Sequence, residues 1–252
     1  MIVPTLGQRT ALLEQCLSSI AEQSTPASIV IVAPSDRQAV KDLAARFGAT
    51  LVPDPGSLAG AINAGVAHSG SSHEFVNWSG DDDLLEPGSL EATVKALDAN
   101  PGHVLAYGAC RYIDADGKEL WISRAGKWAP RILKWGPDLI PQPGMLVRRT
   151  AWEQVGGLDE SFKFAFDLDL LLKLQVVGGF TDVGQVVSSF RWHGDSLTVG
   201  DRSTSLAESE RARRRALSTG ARRMAWAWER PVRVATRMAA SELHRRAARI
   251  KA

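Results

Sequence analysis

Three consecutive carboxylates, Asp81-Asp82-Asp83, are the residues in this chain whose type and spacing point most directly to chemistry. They follow Glu74 to Trp78, an apolar stretch of strand length, and so are expected just past the carboxyl end of an internal strand. Open α/β sheets bind their ligands at that edge. Adjacent carboxylates repel: a pair ~4 Å apart costs about 4 kcal/mol at an effective dielectric of roughly 20. A divalent cation removes that cost and gives a diphosphate somewhere to bind, and all-oxygen ligands favour Mg²⁺ or Mn²⁺. The plainer alternative is a solvated acidic loop that caps the next helix.

Two further groups carry chemical potential. Asp167-Leu168-Asp169 opens an apolar helix, where an Asp serves either as a general base or as an N-terminal cap suited to the positive helix end. His193, in Arg191-Trp192-His193-Gly194, follows a strand, a setting in which a lone His is more often a surface or packing residue than a ligand. The only cysteines, Cys16 and Cys110, lack metal-type spacing, and Cys16 falls on the apolar stripe of a helix, as a buried reduced thiol would. No constellation for a nucleophilic Ser or Cys is found.

The elements that must position these groups alternate in the first hundred residues. Strands are expected at Ile2–Val3, Ser28–Ala33, Ala49–Val52 and Glu74–Trp78, with helices near 10–22, 37–47 and 58–67. That alternation implies a mostly parallel sheet covered on both faces. After residue 100 the pattern turns mixed. A strand at Val104–Tyr107 precedes a hairpin around Asp114-Ala115-Asp116-Gly117. A Pro- and Trp-containing loop spans 126–143, then come helices near 150–155 and 167–176 and strands near 180–182 and 186–192.

Length and charge narrow the classes. The 252 residues, 44% of them hydrophobic, suffice for one sizeable core with an appendage. No apolar run approaches the ~18–20 residues of a membrane span, and the first residues lead straight into a strand without signal-peptide character. A cytoplasmic location is therefore expected. Leu206 to Ala252 holds 13 Lys and Arg against 4 Asp and Glu; with +2 for the whole chain, the rest carries −7. The acidic body argues against nucleic acid as a partner. A helical, Arg-rich tail suits either packing on the body or weak docking on an anionic membrane surface.

Taken in order, Pro4-Thr5, then Gly60, Asn63 and Gly65, then the Asp triplet resemble the donor half of glycosyltransferase family 2 and its GT-A fold. Pro141 to Arg149, followed by Val155-Gly156-Gly157-Leu158-Asp159-Glu160, is similar to the family's acceptor-side segment. Ala165 to Leu170 is similar to its catalytic-base motif, and Arg191-Trp192-His193 to its closing loop. The likeness implies an inverting enzyme that takes a sugar from a nucleotide-diphosphate sugar to a saccharide or lipid-linked acceptor. It makes Asp167 the general base, Asp83 a ligand of Mg²⁺ or Mn²⁺, and His193 a contact at the metal–diphosphate site. Asp81 and Asp82 would lie near the donor ribose and diphosphate, and Pro4, Thr5, Gly60 and Asn63 at the donor. Residues 1–205 would form the GT-A unit, with 1–100 binding the nucleotide sugar and 101–205 the acceptor, and 206–252 a basic helical extension.

One departure stands out. The family places an Asp at the end of its second strand to help hold the base; here that stretch reads Val32-Ala33-Pro34-Ser35-Asp36. Donors other than uridine nucleotides stay open for that reason. Two other readings compete. A nucleotidyltransferase would want a Gly-rich basic loop after the first strand, where Thr5 to Arg9 offers one Gly and one Arg. A non-catalytic binding protein would require that Asp83 and Asp167 fail to share a cleft.

Overall fold

The computed structural model describes residues 1–124, 126–136, 138–192, 202–224, 227 and 231. Its first strands, β1 (Ile2–Pro4), β2 (Val30–Ala33) and β3 (Thr50–Pro53), pair in parallel in that order. They are linked by α1 (Thr10–Ala21) and α2 (Gln38–Arg46), and followed by α3 (Leu58–His68). The helical spacing read from the sequence buries Leu13, Cys16, Leu17 and Ile20 on α1. That stripe shares a core with Val3, Ile31, Ala33 and, from α2, Val40 and Leu43. Ile62 and Val66 of α3 pack instead with Ile2, Val30 and Val32. Successive residues of β2 thus enter different cores, and all four are buried, as expected for a strand sheathed on both faces. Gly65 permits the close approach of α3, since a Cβ there would collide with Ile2.

The second half is a six-stranded mixed sheet. Its elements are β4 (Phe75–Val76), β5 (Leu84–Leu85), α4 (Ser89–Asp98), β6 (His103–Ile113), β7 (Glu119–Ser123), α5 (Ala129–Ile132), β8 (Leu146–Arg148), α6 (Arg149–Gln154), α7 (Phe166–Val177) and β9 (Gly179–Arg191). The order is β4-β8-β6-β9-β5, with β7 beside β6, and only β6 and β9 run parallel. The parallel expectation therefore holds for the first sheet, while the second is built mainly from antiparallel pairs.

Strand β6 is longer than its sequence suggests. Gly108 interrupts the apolar run of β6, yet the strand continues through it with a register shift against β9. A Cβ at Gly108 would lie 2.6 Å from the Gln185 carbonyl oxygen, so the glycine marks a close backbone approach. The strand expected over 74–78 is shorter in the sheet. Asn77 and Trp78 leave β8 and turn to β1, where the Ile2 N–H donates to the Asn77 carbonyl at 2.9 Å and the Ser79 N–H to the Ile2 carbonyl at 3.0 Å. That bridge joins the two sheets immediately before the acidic triplet.

The described start of the charged segment after residue 205 packs on the body. Helix α8 (Arg202–Ala216) packs on α7, with Ala212 fully buried in the main core and Leu217 buried just beyond it. Helix α9 (Thr219–Met224) follows. The amphipathic segment expected after Pro231 lies outside the described residues. Cys16 and Cys110 are buried free thiols.

Candidate active site

Strand β1 ends at Pro4, and Thr5 turns down onto the triplet: its buried hydroxyl donates to Asp81 Oδ2 at 2.5 Å. Four residues on, Arg9 forks across two carboxylates, with Nη2 2.5 Å from Asp81 Oδ1 and Nη1 2.6 Å from Asp82 Oδ2. One guanidinium thus offsets part of the repulsion that three adjacent acids create. Burial holds the Asp81 carboxyl above its usual range even so.

Asp83 faces inward. It is 4% exposed, and its Oδ1 accepts the Arg191 backbone N–H at 3.1 Å. Burial, reinforced by the charge of Asp82, lifts its pKa to about 8. Arg191 itself is buried and ties four segments together. It donates to the carbonyls of Asp82 (3.2 Å) and Ala115 (2.8 Å), to that of Asp114 (3.3 Å), and to Gln15 Oε1 on α1 (3.0 Å).

The triplet's own donor geometry bears on whether it could hold a cation. A Cβ placed on Gly80 would lie 2.9 Å from Asp83 Oδ2 and 3.1 Å from Asp82 Oδ1, so oxygens from two carboxylates converge on one small space that only glycine leaves open. That hard, anionic pair suits Mg²⁺ or Mn²⁺. Among the described residues no group of three or more His, Cys, Asp or Glu gathers as a metal site, and His193, expected to contribute here, lies outside them.

In the second half of the chain, Asp167 occupies the first turn of α7. Its Oδ1 accepts the Leu168 N–H at 2.7 Å, and burial raises its pKa to about 6. Asp169, its neighbour in the motif, is buried and pairs with Lys173 at 3.2 Å. The two acids of Asp-Leu-Asp thus differ: Asp167 is half-buried, whereas Asp169 is buried against Lys173. Asp138 joins Asp167 from the Pro-rich loop: burial and then the Asp167 charge push its pKa to about 7, while the Ile140 N–H and Arg213 of α8 pull the other way. Tyr112 connects the two sides. Its hydroxyl is held above its ordinary range by burial, with the charges of Cys110, Asp83 and Asp138 adding to it. Asp83, Tyr112, Asp138 and Asp167 are therefore successive electrostatic neighbours. Tyr112 also stacks on Trp121 at 4.5 Å and meets Phe190 and Trp192, which makes an aromatic face beside these acids.

The protonation of Asp138 has a sign that can be measured. Its folded pKa exceeds the unfolded value of ~4, so the proton stabilises the fold; that contribution is complete below pH ~4 and is lost as pH rises through about 7. Asp138→Asn should therefore melt higher than the wild type at pH 8, at about 2–4 °C for each 1 kcal/mol recovered, and show no gain at pH 4. A variant that melts lower at pH 8 would show that Arg213 outweighs burial and Asp167.

Other expected site residues have different surroundings. Asn63 clasps the turn after α6: its Nδ2 donates to the Leu158 carbonyl and its Oδ1 accepts the Leu158 N–H, both at 3.0 Å. Gly60 leaves room for the same turn, since a Cβ there would sit 2.9 Å from Glu160 Oε2. Both thus serve the junction between α3 and residues 158–160. At the end of β2, Ala33 is buried and the next carboxylate, Asp36, is exposed and paired with Arg37 at 3.7 Å. The residues that sequence reading missed are Arg9, Asp138 and the side chain of Arg191. Arg9 had a signal, because three acids at a strand edge call for a cation from a neighbouring strand end. Asp138 had none, in a loop without periodicity.

A parallel sheet sheathed on both faces, with an acidic triplet at its carboxyl edge and a mixed sheet joined to it, defines an α/β protein of the GT-A type. The chain belongs to glycosyl transferase family 2, whose model matches residues 1–155. It is 28% identical over 183 residues to the O-antigen biosynthesis protein RfbC of Myxococcus xanthus, covering 69% of this chain and 14% of that protein. It is 26% identical over 146 residues to a chondroitin synthase of Pasteurella multocida, covering 57% and 15%. The chain thus spans a small part of the length of these curated relatives. Among solved structures, residues 1–349 of S. aureus TarS in complex with UDP-GlcNAc share the fold, with a TM-score of 0.65, 14% identity, and coverage of 88% of this chain and 68% of that one. Among the described residues no helix is long and apolar enough to cross a membrane.

Proposed function

We propose that this chain transfers a sugar from a nucleoside-diphosphate sugar to an acceptor hydroxyl, with inversion at the anomeric carbon, in the synthesis of a polysaccharide, glycolipid or other cell-envelope glycan. The observation that supports the reading most directly is the acidic triplet at the carboxyl edge of the parallel sheet, where Thr5 and Arg9 hold Asp81 and Asp82 and the Arg191 backbone N–H holds Asp83. The names of the relatives, an O-antigen biosynthesis protein and a chondroitin synthase, support glycan synthesis, and the TarS complex with UDP-GlcNAc supports the donor class.

Transfer requires charge control at the leaving diphosphate and proton removal at the acceptor. Asp83 and Asp82 would hold Mg²⁺ or Mn²⁺, which when bound supplies Lewis-acid stabilisation of the departing phosphate oxygens. Thr5 and Arg9 fix the orientation of Asp81 and Asp82 beneath the donor. Asp167 takes the proton of the attacking hydroxyl. Its pKa of about 6 keeps it ionised at neutral pH yet basic enough to accept. The half-buried aromatic face around Tyr112 and Trp121 suits a sugar ring presented from the acceptor side. The exposed arginines of α8 and α9, Arg211, Arg215 and Arg222 among them, border a pocket of about 300 Å³ and suit an anionic surface carrying a lipid-linked acceptor.

The test is release of nucleoside diphosphate from a panel of nucleotide sugars, with Mn²⁺, Mg²⁺ or EDTA, with acceptor extracts and with anionic or neutral vesicles. One donor should turn over only with metal, and Asp83→Ala should lose that turnover. Absence of turnover and of metal-dependent nucleotide binding under every condition would sink the proposal.

A further inference from the structure

We propose that α8 is a working part of the acceptor-side site and that Glu208 is its positioning residue, fixing the segment that aims Asp167; this rests on Asp167 being the general base. Helix α7 lacks a side-chain cap at its N-cap position. Its N-cap is Ala165, which has no side chain to accept from the first-turn N–H groups. The three preceding N–H groups all converge on one carboxylate from α8. Lys163 donates to Glu208 Oε1 at 3.0 Å, and Phe164 and Ala165 donate to Oε2 at 2.7 and 3.1 Å. Burial works against the Glu208 charge, and the three N–H groups outweigh it, holding the carboxyl below its ordinary range. A negative group at this end of α7 also suits the helix dipole.

The rest of α8 grips the same segment. Arg211 donates to the Ser161 carbonyl at 2.8 Å and lies 4.0 Å over the Phe162 ring. Arg215 pairs with Asp159 at 2.6 Å. From the opposite side Asn63 holds Leu158. Residues 158–165 are thus clamped between α3 and α8, and Asp167 lies two residues past the last clamped N–H. A base must meet its proton within a few tenths of an ångström, and a shift of about 1 Å can cost ~10²-fold in rate. Through this segment α8 reaches the chemistry without touching substrate.

Steady-state kinetics of the full chain tests this with the donor and acceptor that turn over. Glu208→Ala should lower kcat by roughly 10- to 100-fold, with donor KM changed less than about two-fold. Glu208→Gln keeps one acceptor oxygen and should recover most of kcat. Glu208→Asp keeps the charge but is one methylene shorter, and should lower kcat as well; it stands in if the Ala variant does not fold. A folded Ala or Asp variant with wild-type kcat would overturn the positioning role, as would a loss confined to donor KM. Asp167→Asn is measured alongside. If it keeps wild-type turnover, the base reading fails whatever Glu208 does; if it is inactive while Glu208→Ala is normal, only the positioning role fails.

Discussion

Asp167→Asn is expected to lower kcat by about 10²–10⁴-fold while leaving donor KM nearly unchanged. Asn preserves the size of the side chain and the acceptor for the Leu168 N–H, so α7 should keep its first turn. What it removes is the capacity to take a proton. The pH profile separates this from misfolding. Burial sets the Asp167 pKa at about 6, so wild-type kcat/KM should fall roughly tenfold per unit as pH drops below that value, when the base becomes protonated. The Asn variant should lack that limb. A variant that retains the acid limb would assign it to another group, and Asp138, with a pKa near 7 beside it, would be examined next.

Arg191→Ala is expected to damage stability and turnover together. Its guanidinium donates to three carbonyls, at Asp82, Asp114 and Ala115, and to Gln15, in a buried setting. Truncation leaves those acceptors unpaired at about 1–3 kcal/mol each before relaxation, so a net loss on the order of 3 kcal/mol is expected in urea unfolding. The Asp82–Asp83 loop is one of the segments freed, and donor binding should weaken with it. Arg191→Lys should recover little, because one ammonium cannot reach four acceptors in the same fork. An Ala variant with an unchanged urea midpoint would mean that water replaces the guanidinium at every carbonyl.

How much of this was legible depends on how local each signal is. The parallel half was readable because Leu13, Cys16, Leu17 and Ile20 repeat at helical spacing and the β2 run is apolar throughout. The triplet and the Asp167 motif were readable as ordered motifs. The mixed sheet was harder: β4 and β5 are two residues each, too short to show periodicity, and Gly108 disguised one long strand as two. The split between Asp167 and Asp169 depends on which side of α7 meets the core, a tertiary fact. Glu208 and Ala212 were hidden inside an arginine-rich run whose average charge suggested solvent. Composition reports the outer face of such a helix, whereas a few small or acidic residues decide what it docks against.

The pairing of β9 carries a consequence for how the molecule comes into being. This last strand of the sheet runs beside β6 and holds β5, and through Arg191 it supplies the N–H that donates to Asp83. Residue 113 must wait for residue 191 before that edge can close, so the pairing is among the most non-local in the chain. A chain emerging from the ribosome can complete β1–β3 and their helices long before β9 is made. During that interval the triplet lacks the strand that buries Asp83, and the acids remain hydrated at an unfinished edge. Burial of Asp83 is thereby tied to completion of the sheet, and a truncated or stalled chain would lack a matured acid cluster.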